Sequence, residues 1–352
     1  MGKNKFYILG GIFLLIAGYL VFSAFKNPQS NSSLNKAEVK SSQPAKNQPV
    51  QNLKQSVNGE FLPKEIGPDR PIAVVVENFP EARPQSGLIL ADVVYEAPTE
   101  GGITRYLAIF QSHEAKNIGP VRSIRTYFGE IAEEYGAVLA HVGGNSDALA
   151  NIKAKKYSGV SDADQFFNDP YFQRVTFRSM PHNVYTSIAK LKKLAAAHKF
   201  SETTGFQEWK FTDEPMAESL VAEKITIPFS ESAYEVGWQY DSSANIYKRF
   251  LAGKAHKDLD TKKQISAKTV IVQLVETFPV KSDTPLSIGM TLTGEGKAYV
   301  FENGRVVQAI WKKSAGERTR YYDSQNREIS FNRGQIWVEL LPTEKASQLV
   351  WK

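Results

Sequence analysis

The sequence Gly119-Pro120-Val121-Arg122-Ser123-Ile124-Arg125-Thr126 leads directly into Tyr127-Phe128-Gly129-Glu130-Ile131-Ala132-Glu133-Glu134-Tyr135. Phe128, Ile131, Ala132 and Tyr135 fall at i, i+3, i+4 and i+7, so the second segment forms a helix with one inward face. Short apolar runs flank it, at 72–76, 92–96 and 106–110 before and at 137–142 after, each of strand length. Two further helices are predicted over 147–155 and 188–198. The latter lines up Ile188, Leu191, Leu194 and Ala195 behind Thr186 or Ser187 as cap. Strands and helices intermixed to about residue 206 predict an α/β domain.

Beyond a polar connector at 212–223 the pattern becomes alternation. Tyr234, Val236, Trp238 and Tyr240 share one face, and the turn at 241–245 brings in 246–251 as the second arm of a hairpin. A strand is predicted over 269–278. The strongest hairpin signal joins 298–301 to 306–311 through Asn303-Gly304, a pair suited to a type I′ turn. Runs at 320–322, 328–331 and 335–341 continue the pattern. The expected fold class is therefore α/β (α+β): a mixed-sheet N-terminal domain with helices over 61–210, then a mainly antiparallel β C-terminal domain over 225–352.

The charge is unevenly placed. The net +6 of the 352 residues resides almost wholly in residues 1–60, where Lys3, Lys5, Lys26, Lys36, Lys40, Lys46 and Lys54 face only Glu38 and Glu60. The remainder carries 36 bases and 35 acids. A near-neutral body on a basic leash fits an anionic membrane surface or wall polymer and argues against nucleic acid as the partner. Residues 6–25 are free of charge and long enough to cross a bilayer, with Lys3 and Lys5 ahead of them. A retained anchor over 1–26 is expected, in preference to a cleaved signal, with the body outside the cytoplasm. Residues 27–60 are rich in Asn, Gln, Ser, Lys and Pro and read as a flexible linker of roughly 30 Å average span.

Candidate chemistry centres on the opening stretch. Arg122 and Arg125 sit at a helix N-terminus, whose own partial positive charge makes them unfavourable unless an anion is held nearby. That anion is either an external phosphate or carboxylate, or an acid of the chain such as Glu96, Glu100 or Glu114. Arg105, Arg122 and Arg125 are expected to line one concave site, with Ser123, His141 and Asn145 as further ligand contacts. Glu100, beside Gly101-Gly102, and His182 are the candidates for proton transfer. Absence of cysteine removes disulfides, thiolate nucleophiles and iron-sulfur clusters, and the five scattered histidines form no short ligand pair, so neither metal nor cofactor is expected. Serine-hydrolase and P-loop signatures are missing as well.

Several runs together carry a family resemblance: Arg70-Pro71-Ile72-Ala73-Val74-Val75-Val76-Glu77-Asn78, Ala82-Arg83-Pro84-Gln85-Ser86-Gly87, Ala91-Asp92-Val93-Val94-Tyr95-Glu96-Ala97 and Glu100-Gly101-Gly102-Ile103-Thr104-Arg105, with the double-arginine loop. In the second half they are Trp238-Gln239-Tyr240-Asp241 and Tyr247-Lys248-Arg249, with Gly253 and Asp258. On these the chain resembles the YerB-like lipoprotein family of Gram-positive bacteria, over about 61–345. The resemblance implies a two-domain, extracytoplasmic, membrane-associated α/β protein and no established activity. Ile16-Ala17-Gly18 is followed by Tyr19, where a lipoprotein would have its acylated cysteine, so a membrane helix is expected to replace the lipid. Two functions are open at this point: a tethered module binding an anionic wall polymer or envelope protein, and an enzyme acting on phosphorylated or glycosidic wall material.

Overall fold

The computed structural model describes residues 55–62, 70–202, 205–213 and 220–352. The expected membrane span at 6–25 and most of the linker lie outside these. Among the described residues no helix is long and apolar enough to cross a membrane. The last linker residues belong to the body: Ser56 and Val57 are buried, and the Val57 amide donates to Gln111 Oε1 at 2.9 Å.

The first half supplies β1 (Ile72–Glu77), β2 (Val93–Pro98), β3 (Thr104–Phe110), α1 (Thr126–Glu133), β4 (Val138–His141), α2 (Ser146–Lys153), β5 (Ser161–Asp164) and α3 (Ile188–Ala197). The second half adds β6 (Lys224–Pro228), β7 (Glu235–Asp241), β8 (Ile246–Leu251), β9 (Thr269–Val275), β10 (Gly294–Glu302), β11 (Arg305–Lys313), β12 (Arg320–Tyr322), β13 (Ile336–Pro342) and β14 (Val350–Trp351), with shorter bridging pieces. Asn303 and Gly304 both adopt positive φ, 55° and 70°, as the type I′ turn between β10 and β11 requires.

Strands of both halves enter one large mixed sheet in the order β12-β11-β10-β9-β13-β2-β3-β1-β4-β5. The junction is β13, which lies parallel to both β9 and β2. The pattern of the second half predicts antiparallel strands, and most are; these two parallel pairings arise because β13 returns from the far end of the chain. At the other edge β1, β4 and β5 run parallel.

β1 is buried along its whole length because both faces of the sheet are covered. Ala73, Val75, Leu107 and Ile109 face α1, which contributes Tyr127, Phe128, Ile131 and Ala132. Val74, Val76, Tyr106 and Ala108 face the other way, in a core that includes Ile188, Leu191 and Leu194 of α3. That second face also receives a smaller sheet, β8-β7-β6-β14, through Ile225, Ile227, Val236, Trp238 and Tyr247.

Candidate functional site

The carboxyl ends of the parallel strands β1, β4 and β5 are Glu77, His141 and Asp164. The arginine loop is laced across these ends by backbone bonds. Arg122 N donates to Val75 O at 2.9 Å, Val121 N to Val184 O at 2.7 Å, Val142 N to Arg122 O at 3.1 Å and Ile124 N to Gly143 O at 3.0 Å. Gly119 opens the loop at φ +154°, and a Cβ there would meet the Tyr185 ring and Val184 O at 2.9 Å, so the close approach needs glycine.

Glu77 and Arg105 are register partners on β1 and β3, so their side chains share the α1 face of the sheet. Two ion-pair groups form there. Glu100 receives Arg105 Nη2 at 3.0 Å, Arg125 Nε at 2.9 Å and Arg125 Nη2 at 2.5 Å. Both arginines are almost fully buried, with 5% and 6% of the side chain exposed. Burial opposes ionisation of Glu100, but the charges of Arg105 and Arg125 outweigh it and hold the carboxyl at about 2. Burial and the neighbouring Arg125 bring Arg105 down to about 10, against the pull of Glu100. Arg105 is further fixed by Nη1 donating to the Ser123 carbonyl at 2.7 Å.

The second group is built on Glu77. One carboxylate oxygen accepts from Arg122 Nε at 3.0 Å and the other from His182 Nδ1 at 2.8 Å. The His182 ring stacks on Phe79 with planes 2° apart and centroids 5.5 Å apart. Arg122 differs from its two neighbours. It is 26% exposed, and its terminal nitrogens have no hydrogen-bond partner among the described residues.

The internal counter-charge is thus Glu100 for Arg125, one of the acids considered from sequence, and Glu77 for Arg122, which was not considered because it lies 45 positions away. His141 and Asn145 sit nearby but are engaged within the fold. His141 is fully buried, with Nε2 on Asp162 at 2.8 Å and Nδ1 on Gly143 O at 2.8 Å. Asn145 Oδ1 caps α2 by accepting from Ala148 N. The spacing of the histidines hides one grouping with cation-binding atom types: Glu60, Asp92 and His113 bring ligand atoms within 4.8 Å of one another. Asp92 there already accepts from the amides of Gln111 and Ser112 and from the Ser112 hydroxyl.

On the opposite face, at the same end of the sheet, lies a buried network that sequence reasoning missed. Glu96 of β2 and Glu339 of β13 are register partners, and Arg249 of β8 reaches Glu96 from the smaller sheet. Asn78 and Thr104 donate to Glu96 as well. Trp238 Nε1 donates to Glu339 at 2.9 Å, and Arg249 Nη1 to His256 Nδ1 at 2.7 Å, while His256 Nε2 meets Gln85 Oε1 at 2.8 Å. Burial, then the charge of Glu96, push the Glu339 carboxyl well up. Burial and Arg249 push His256 well down, so it is neutral. The signal was in six of the resemblance runs, which contribute Asn78, Gln85, Glu96, Thr104, Trp238 and Arg249, while His256 and Glu339 come from outside them.

Residues 58–201 match the family model described as Protein of unknown function (DUF3048) N-terminal domain, and residues 225–338 match that of the DUF3048 C-terminal domain. The chain is 30% identical over 302 residues to "Putative lipoprotein YerB" of Bacillus subtilis (strain 168), covering 85% of this chain and 89% of that protein. It superposes on the crystal structure of YerB from Bacillus subtilis with a TM-score of 0.74 at 28% identity, covering 82% of this chain and 96% of the other. With both halves matched and the fold shared, the chain belongs to the YerB-like, DUF3048 family.

Proposed function

We propose that this chain is a membrane-tethered, extracytoplasmic envelope protein that binds an anionic ligand at the carboxyl ends of β1, β4 and β5. The observation that carries the reading is the free fork of Arg122. Glu77 uses only its Nε, and the two outer nitrogens are exposed beside a His182 imidazole held by the same carboxylate. A planar cationic fork suits a phosphate or carboxylate. Glu100 serves as the permanent counter-ion of Arg105 and Arg125, which stiffen the loop carrying Arg122. The place is also where open α/β sheets bind ligands, beyond the carboxyl ends of their parallel strands. The relative named as a lipoprotein supports an envelope location. This chain has no cysteine to acylate, so residues 6–25 take over the anchoring.

The test is a thermal shift of the full chain with inorganic phosphate and pyrophosphate. Stabilisation is expected, with Arg122→Ala weakening binding about tenfold or more through loss of charge-assisted hydrogen bonds. Equal shifts in both proteins would refute the reading.

The Glu77–His182 contact of 2.8 Å supports a second reading, an enzyme acting on phosphorylated or glycosidic wall material with His182 as the proton carrier. Turnover of such a substrate, lost in His182→Gln with binding kept, would favour it.

A further inference from the structure

The anion site lies at the opposite end of the large sheet from Val57. Val57 is bonded to Gln111, which follows the last residue of β3, and that residue, Phe110, stands opposite Ile72 at the start of β1. Glu77 is the last of the six residues of β1, about 17 Å from Ile72 along the strand. Val57 is therefore held at one end of this sheet and Arg122 and His182 at the other.

Large apolar side chains stand exposed around the end that holds Arg122 and His182. Phe166 and Phe167, just past the end of β5, are 67% and 84% exposed, and Phe177 and Met180, on the loop leading to His182, are 64% and 70% exposed. Phe166 lies over Gly143, where a Cβ would be 2.5 Å from its ring, and Gly143 is bonded to Ile124 of the arginine loop. Phe177 lies on the other side, its ring 5.9 Å from that of Tyr185, which packs over Gly119. Arg174 and Arg178 add positive charge on the same loop. Apolar groups held in water around a guanidinium and an imidazole mark a contact surface.

We infer, resting on the anion site proposed above, that the ligand is a phosphodiester-linked glycan. The phosphate of one repeat lies against Arg122 and His182. The flat C–H faces of the flanking sugars lie on Phe167 and Phe177, which accounts for rings and cations side by side.

The full chain in phosphatidylcholine nanodiscs is titrated calorimetrically with a soluble phosphomannan, with inorganic phosphate and with a neutral mannan. Phosphomannan is expected to bind at least about tenfold tighter per phosphate than inorganic phosphate, and neutral mannan far more weakly. The double variant Phe167→Ser, Phe177→Ser alters only exposed positions; it should abolish the advantage of phosphomannan while leaving phosphate affinity unchanged. Equal affinity for phosphomannan and phosphate, or an advantage that survives the double variant, overturns the glycan inference while phosphate binding lost in Arg122→Gln keeps the anion site. Hydrogen exchange is measured in parallel with phosphatidate in the nanodisc. Protection of 165–182 by phosphatidate, with no advantage of phosphomannan, also overturns the inference and assigns the rim to the bilayer. No phosphate binding at all overturns the anion site itself.

Discussion

Arg249 and Glu96 form an ion pair from which water is wholly excluded, one residue on the smaller sheet and the other on the large one. Burial and the charge of Glu96 push the Glu339 carboxyl beside them well up, which favours its neutral form. A buried pair of this kind contributes little net stability when intact, but breaking it leaves a charge without a partner. Arg249→Met is therefore expected to cost about 3–5 kcal/mol, read from urea unfolding. Glu339→Gln replaces a neutral acid with a neutral amide that can still accept from Trp238, and is expected to cost about 1 kcal/mol or less. Equal losses in the two variants would contradict this assignment of charge.

Glu100 gives the body an acid limb. Its carboxyl is held at about 2, below the ordinary 4.5, because Arg105 and Arg125 overcome the effect of burial. A lowered folded value means stability that is present above pH 4.5 and lost as pH falls from there towards about 2. Unfolding midpoints measured across that window should fall in the native protein and change less in Glu100→Gln. That variant also leaves two buried arginines unpaired, and a loss of about 3 kcal/mol near neutrality is expected.

Glu302 acts in the opposite sense. Burial raises it to about 7 despite hydrogen bonds from the Thr269 hydroxyl and the Asn332 amide. Its raised value contributes stability in full below pH 4.5 and loses it as pH rises to about 7, because the unfolded chain gives up the proton first. Glu302→Gln should remove this slope and match or exceed native stability at about pH 8, by up to about 3 kcal/mol. A steeper decline with pH in the variant would contradict it.

Helix α1, with its Phe128, Ile131 and Ala132 face, and the Asn303-Gly304 hairpin were legible because each depends on local periodicity or turn chemistry. The parallel junction of β13 with β2 was not, since no local pattern records which distant strand lies alongside. The site divides in the same way. That Arg122 and Arg125 require anions followed from charge near a helix start, but only topology brings Glu77 to Arg122 and His182. The network around Arg249 was hidden because its members are single polar residues in strands and loops far apart in the chain, each unremarkable until the fold brings them together.

The most direct measurement is a crystal structure of this chain grown with pyrophosphate. The account predicts an anion within hydrogen-bond reach of the Arg122 terminal nitrogens and His182 Nε2, with Glu77 still holding both side chains. Well-ordered Arg122 nitrogens pointing into bulk solvent at saturating pyrophosphate, with the anion absent or bound elsewhere, would contradict it.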